Sequence, residues 1–62
     1  MKHLEFRVEI WTADGQSVEE VIAACSNQLV ARAAFERAVQ YYPKAMIRLR
    51  HRARVIKENR PR

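Results

Sequence analysis

The first residues of the chain alternate between apolar and polar side chains in the way that is typical of a β-strand. One parity of HLEFRVEIW holds the apolar residues Leu4, Phe6, Val8 and Ile10. The other parity holds His3, Glu5, Arg7, Glu9 and Trp11. Successive side chains of a strand point to opposite faces of a sheet, so this pattern predicts a strand with one buried face. We expect Trp11 to lie on the opposite, uncovered face.

The only glycine of the chain follows Asp14, and Asp-Gly predicts a tight hairpin because both turn positions need a positive φ. A two-residue loop at Asp14-Gly15 predicts a second strand over residues 16–25 and places Trp11 opposite Val18. In this register small and apolar residues meet in three pairs: Val8–Val21, Phe6–Ala23 and Leu4–Cys25. A three-residue loop is less favourable, because it would bring the carboxylate of Glu20 beside the apolar face.

Residues 26–43, SNQLVARAAFERAVQYYP, predict a helix. Ser26 or Asn27 is suited to accept hydrogen bonds from the first turn, and Pro43 ends the helix because it disfavours helical backbone at the preceding residue. One side of the helix carries an apolar stripe with alanine at its centre: Ala31, Ala34, Phe35, Ala38, Tyr41 and Tyr42. We therefore expect the helix axis to lie close to a sheet.

From Ala45 the apolar period returns to two, which predicts a third strand reaching residue 57, with a bend near His51. A hairpin at His51-Arg52 is the alternative. It is disfavoured because no Gly, Asn or Asp is present and because Arg54 would fall on the apolar side. Whether residues 45–57 form one strand or a hairpin stays open. Residues 58–62 predict a flexible basic tail.

This order of elements predicts an α+β fold with two layers. A right-handed crossover makes the second and third strands parallel, and the first strand fits between them. The expected domain spans residues 1–57 as ββαβ, a three-stranded antiparallel sheet of order 2-1-3 packed on one helix. The second face of this sheet has no cover from the chain itself.

The charge of the chain is unevenly distributed. Residues 1–43 hold four basic and six acidic residues, whereas residues 44–62 hold eight basic residues and one acidic residue. Such an asymmetry indicates either an acidic partner or ion pairs between the two halves. In the 2-1-3 order the third strand lies beside Glu5 and Glu9, so part of its charge is expected to be paired within the chain.

The uncovered sheet face and the open sheet edges favour association with a protein partner. The side chains expected at this interface are Trp11, Val18, Ile22, Met46 and Ile56. We therefore interpret the chain first as a non-enzymatic interaction module that self-associates, most simply as a homodimer.

The alternative interpretation is a nucleic-acid-binding protein that contacts the phosphates of DNA or RNA without strong sequence specificity. The basic residues expected to make these contacts are Arg48, Arg50, Arg52, Arg54, Lys57, Arg60 and Arg62. Against this function, acidic residues are interspersed on the same face, and only Trp11 is placed to stack on a base.

No catalytic or metal-binding constellation can be assembled from the sequence, so we expect neither enzymatic activity nor a cofactor or metal. Cys25 is expected in the core, and His3 and His51 lack further metal ligands. A single cysteine excludes a disulfide framework, and no apolar run approaches the length of a signal or membrane-spanning segment. These features predict a cytoplasmic chain with no membrane partner and no small-molecule substrate.

The stretch YPKAMIRLRHRARVI combines a helix that ends in Tyr-Pro with a basic, apolar strand that ends in Ala-Arg-Val-Ile. Over residues 41–56 it resembles the C-terminal half of small bacterial proteins of unknown function with a ββαβ layout. This resemblance implies the fold but no activity and no catalytic residues.

Overall fold

The computed structural model of the chain describes residues 4–61 and shows one helix packed on an antiparallel sheet, which confirms the predicted α+β class. The elements are β1 (Phe6–Trp11), β2 (Val18–Cys25), α1 (Gln28–Tyr41), β3 (Met46–His51) and β4 (Arg54–Asn59). The strand order is β2-β1-β3-β4, so a fourth strand extends the predicted three-stranded order 2-1-3. Two residues with predicted positions lie outside the described residues: His3, expected on the outer face of the first strand, and Arg62, expected among the nucleic-acid contacts.

The core forms where α1 crosses the two central strands. Every second side chain of β1 and of β3 points toward the helix. The helix packs small side chains and one large aromatic ring against them. The buried cluster consists of Val8, Ala31, Phe35, Ala38, Ile47 and Leu49. Cys25 packs against this cluster as predicted. The small residues Ala31 and Ala38 let the helix approach the sheet.

The turn between β1 and β2 is longer than the predicted two-residue loop, so that prediction is wrong. Residues 12–17 form the loop, and Thr12 N–H donates to the Ser17 carbonyl at 2.8 Å. The Asp14 carboxylate accepts from the Thr12 hydroxyl at 2.5 Å and from the Gln16 amide at 3.0 Å. The bond from the Gln16 amide forms an Asx-turn, which stabilises the longer loop. Within the loop only Gly15 has a positive φ, of 72°.

The register of β2 differs from the prediction because the strand contains two bulges. Trp11 lies opposite Val18 as expected, but Val8 pairs with Ala23 and Phe6 with Cys25. One bulge lies between the partners of Val8 and Glu9, and the other between those of Ile10 and Trp11. Each extra residue shifts the faces, which the alternation of residue types does not reveal.

One consequence of the bulges is that Ile22 and Glu20 both leave the outer face, on which the predicted register placed them. Ile22 packs against the core cluster on the helix side instead of the outer face. Glu20 lies opposite Ile10 and is exposed at the edge of the sheet. The carboxylate beside an apolar strand residue is therefore tolerated because water reaches it there.

Helix α1 is bounded as the sequence predicts. The Asn27 side chain accepts hydrogen bonds from the amides of Leu29 and Val30, at 2.7 and 3.2 Å, and caps the first turn. The helix ends at Tyr41, and the Tyr42 amide still donates to the Ala38 carbonyl. The residue before Pro43 thus leaves helical space.

The basic segment after the helix is a hairpin, so the alternative that the sequence disfavoured is correct. His51 pairs with Arg54 across a two-residue turn, and Arg52 adopts a positive φ of 59° without being Gly, Asn or Asp. The Arg52 amide and guanidinium both donate to Glu5, which holds the turn against the start of β1. Tertiary contacts therefore replace the turn residues that a hairpin normally needs.

A bulge in β4 also changes which of its residues point inward. The pairing passes from Arg50–Val55 to Leu49–Lys57, which leaves Ile56 as the extra residue, and Ile56 packs against the core cluster. The predicted boundary between domain and tail, after residue 57, falls inside β4, which continues to Asn59.

We predict that Gly15→Ala destabilises the protein by about 1–2 kcal/mol, because a residue with a side chain resists the left-handed backbone. The new Cβ would also lie 3.2 Å from Arg48 Nη2 and 3.4 Å from Met46 Cε. Urea unfolding followed by circular dichroism measures this change. The neighbouring Gln16→Ala is the control, since the Gln16 side chain is exposed, and an equal loss in both variants would contradict the prediction.

Candidate functional site

The outer sheet face is organised around the buried carboxylate of Glu9. Its side chain is 1% exposed although no helix covers this face. Arg50 Nε donates to Glu9 Oε1 at 2.6 Å and Arg50 Nη2 donates to Oε2 at 3.0 Å, a two-point ion pair. Trp11 Nε1 donates to the same carboxylate at 3.2 Å. Glu9 is thereby satisfied by three donors, as a buried charge requires.

Arginine side chains cover Trp11 and complete this layer. The guanidinium carbons of Arg48 and Arg50 lie 4.4 and 5.2 Å from the centroid of the Trp11 ring. Arg48 also donates to the Gly15 carbonyl at 3.3 Å and to Glu58 at 2.7 Å. The face is therefore covered by its own side chains, which we call the Glu9 layer: Glu9, Trp11, Arg48 and Arg50.

The structure separates the five residues predicted as an interface. Trp11 and Val18 lie on the outer face, where Trp11 is only partly exposed. Met46 is 3% exposed and lies beneath the Gly15 loop, while Ile22 and Ile56 pack on the helix side. The five side chains do not form one exposed apolar surface.

The predicted nucleic-acid contacts are likewise divided among three places. Arg48 and Arg50 belong to the Glu9 layer and are paired with carboxylates. Lys57 turns to the helix side and donates to Glu36 at 3.1 Å, and Arg60 pairs with Glu58. Arg52 and Arg54 are exposed near the β3–β4 turn. The Arg52 side chain is 75% exposed even though it contacts Glu5.

These ion pairs shift the pKa values of their members. The Glu9 carboxylate accepts from Arg50 and raises the pKa of that guanidinium above its usual value. The hydrogen bond with His51, followed by that from Arg52, lowers the pKa of Glu5. The two arginines that bind Glu58, Arg48 first, lower the pKa of that carboxyl.

Several charged residues of the described part of the chain are separated by sign along the sheet. Arg37 and Lys44 belong to neither of the two sets, although they too make no ion pair within that part. The start of β1, the end of β3 and the start of α1 meet at one end, which carries four arginines: Arg7, Arg32, Arg52 and Arg54. We call this set the basic end. Glu5 is its only acidic neighbour in the hollows described below. The opposite end, at the β1–β2 loop and the start of β2, carries Asp14, Glu19 and Glu20.

The basic end contains two open hollows. The first, of about 390 Å³, is lined by Leu4, Glu5, Arg7 and Arg52. The second, of about 410 Å³, lies between α1 and the β3–β4 hairpin, and we call it the helix hollow. It is lined by Phe6, Gln28, Arg32, His51, Arg54, Val55 and Ile56. Arg7, Arg32 and Arg54 make no ion pair with another described residue.

A third surface feature is an apolar groove between α1 and the edge strand β2. It is lined by Ile22, Ala23, Ala34, Arg37, Ala38, Tyr41 and Tyr42. Tyr41 is 68% exposed at its rim, so the aromatic end of the helical stripe is only partly used by the core.

The described residues contain no group of three metal-ligating side chains, and no helix among them is long and apolar enough to cross a membrane. Cys25 is half-buried against the core. His51 stacks on Phe6 with 4.5 Å between ring centroids, and its Nε2 lies 3.0 Å from Glu5.

Comparisons with protein-family models, with curated proteins and with solved structures gave no significant match. The resemblance over residues 41–56 stays a prediction.

Arg7 and Arg32 were not among the residues that the sequence analysis assigned to a site. Each belongs to a different element from the arginine-rich segment, and only the packing of α1 and β1 beside the β3–β4 hairpin brings them to the same end. No spacing in the sequence carries that signal, because the approach depends on the strand order.

We predict that Glu9→Ala destabilises the protein by about 2–3 kcal/mol, because it leaves Arg50 without its carboxylate in a partly exposed layer. Glu9→Gln should cost about 1 kcal/mol, since it keeps an acceptor for Arg50 and Trp11. Chemical unfolding in urea measures both.

The matched control is Glu36→Gln, which breaks the exposed pair with Lys57 and should change stability by no more than about 0.5 kcal/mol. If Glu9→Ala costs no more than this control, the buried carboxylate does not organise the outer face.

We also predict that stability falls as the pH drops into the acid range. The folded-state pKa values of Glu5 and Glu58 lie below the ordinary 4.5, so their ion pairs stabilise the fold above that pH. This contribution is lost as the pH falls through the lowered values. Urea midpoints across an acid pH series measure it, and Glu58→Gln should flatten the curve. Glu19→Gln is the control, and an equal flattening there would contradict the assignment.

Proposed function

We propose that this chain is a non-enzymatic interaction module that binds nucleic acid through its phosphates, using the basic end. The observation that carries the proposal is a separation of charge among the described residues. Arg7, Arg32 and Arg54, which make no ion pair, lie with the largely exposed Arg52 at one end, and three carboxylates without an ion pair lie at the other. Such a separation orients the domain toward a polyanion and speeds their encounter.

The ion pairs of the sheet favour the basic end over the arginine-rich strand face. The charges of Arg48 and Arg50 are answered by Glu58 and Glu9, so a phosphate there would have to displace a carboxylate. At the basic end, Arg7, Arg32 and Arg54 have no such partner among the described residues, and Arg52 is largely exposed. Phosphate binding at that end therefore costs no existing ion pair except that of Arg52.

Binding through four arginines, without a stacking platform, makes the interaction weak and insensitive to base sequence. At physiological salt we expect a Kd in the range of about 10⁻⁴ to 10⁻⁶ M, which is typical of non-specific nucleic-acid binding. The slope of log K against log salt should lie between about −3 and −4, since each neutralised phosphate contributes slightly less than one.

Self-association is the second candidate function, and the apolar groove with the exposed Tyr41 is the observation that favours it. The bulges in the two edge strands and the charges of β4 oppose pairing of sheet edges, so a dimer would use the groove and not an edge. Light scattering behind a sizing column tests it, and a monomer at high micromolar concentration would exclude it.

The test of nucleic-acid binding is a fluorescence-anisotropy titration of duplex DNA, single-stranded DNA and RNA over a salt series. Replacing the three unpaired arginines together, Arg7→Gln, Arg32→Gln and Arg54→Gln, should reduce the salt slope to about −1 and weaken binding at low salt. The three side chains are exposed, so the fold should persist by circular dichroism.

The control variant replaces two basic residues outside the basic end, Arg37→Gln and Lys44→Gln, and should retain most of the binding. Absence of binding at low salt, or equal losses in both variants when expressed per charge removed, would refute the proposed surface.

A further inference from the structure

The helix hollow is lined by two arginines that make no ion pair with a described acidic side chain. Arg32 reaches it from the second turn of α1, and Arg54 from the first residue of the edge strand β4. None of the described residues that line the hollow is acidic. Two arginines without an ion pair therefore line one open volume of about 410 Å³.

Another basic residue of β4 does have an acidic partner on the helix, so along this strand the lack of an acidic partner is confined to the hollow. Lys57 also turns to the helix side of β4, and there Glu36 of α1 answers it at 3.1 Å. The helix thus places the carboxylate of Glu36 beside Lys57, whereas near Arg54 it places a second arginine, Arg32. Guanidinium groups remain charged at any physiological pH, so both arginines keep their positive charge in the hollow.

We propose that the helix hollow binds the phosphate monoester at the end of a nucleic-acid strand, with Arg32 and Arg54 as the phosphate ligands. A monoester carries between about −1.5 and −2 charges at neutral pH, which matches two unanswered arginines better than the single charge of a phosphodiester. The planar guanidinium fork presents paired donors to phosphate oxygens.

The shape and position of the hollow fit a strand end. Three of its lining residues, Arg54, Val55 and Ile56, belong to the edge strand β4, which has no further neighbour in the sheet, so the remainder of a nucleic-acid strand can continue past that edge into solvent. Phe6 and His51, whose rings stack on each other, and Ile56 also line the hollow. His51 is held through its Nε2 by Glu5, and the amides of Leu29 and Val30 already donate to Asn27, so the arginine side chains supply the charge.

The identity of the ligand as a strand end rests on the proposed nucleic-acid binding, whereas the phosphate chemistry of the hollow does not. The test compares a short single strand that carries a 5′-phosphate, the same strand with a 3′-phosphate and the same strand with hydroxyl ends. Inorganic phosphate and a mononucleotide are added as competitors. We expect at least one phosphorylated strand to bind about tenfold more tightly than the hydroxyl strand.

The variant Arg32→Gln with Arg54→Gln should abolish this tenfold preference, and the control Arg37→Gln with Lys44→Gln should preserve it. Amide chemical shifts of residues 28 and 54–56, followed by NMR during addition of inorganic phosphate, report occupancy of the hollow directly. Both variants change exposed side chains, and their spectra verify that they fold.

The outcomes separate the two proposals. Equal binding of phosphorylated and hydroxyl strands overturns the strand-end site but leaves nucleic-acid binding intact. Binding of phosphate and the mononucleotide in the hollow without binding of any strand keeps a phosphate site and refutes the nucleic-acid function. If the Arg32 and Arg54 variant keeps the preference, or if phosphate shifts none of these amides, the site is wrong.

Discussion

The two-point ion pair between Glu9 and Arg50 is the interaction on which the outer sheet face depends. A carboxylate in the central strand, 1% exposed, would be costly without full satisfaction of its oxygens. Arg50 and the Trp11 indole supply these hydrogen bonds, and the guanidinium groups of Arg48 and Arg50 lie over the Trp11 ring. A two-layer domain with helix on only one side can thus exist without a second apolar layer.

This use of the arginines has a consequence for function. An arginine at every second position suggests a surface for polyanions, yet the two on the outer face, Arg48 and Arg50, form ion pairs within the domain. Of the described arginines that make no ion pair, Arg7, Arg32 and Arg54 meet at one end of the sheet, whereas Arg37 lies toward the other end of α1. Charge within a sequence segment is therefore a poor guide to free charge, because ion pairing depends on the neighbouring strands.

The two sheet edges also bear on how the domain meets other molecules. Both edge strands contain bulges, and β4 exposes charged side chains, features that oppose the addition of another strand. The unused apolar surface lies instead between α1 and β2, at Tyr41 and Tyr42. The basic end and the groove are separate surfaces, since the first includes the start of α1 and the second its end.

The sequence by itself determined the α+β class, the limits of α1, the order of the first three strands and the pairing of Trp11 with Val18. These follow from local signals: apolar periods, an Asn cap, a proline and the Asp-Gly loop. Only the tertiary structure decided the bulges, the β3–β4 hairpin and the set of free arginines. A bulge shifts the alternation without a residue signature, and the Arg52 turn is held by Glu5, far away in the chain. Pairing of charges likewise depends on which strands become neighbours, which no local pattern records.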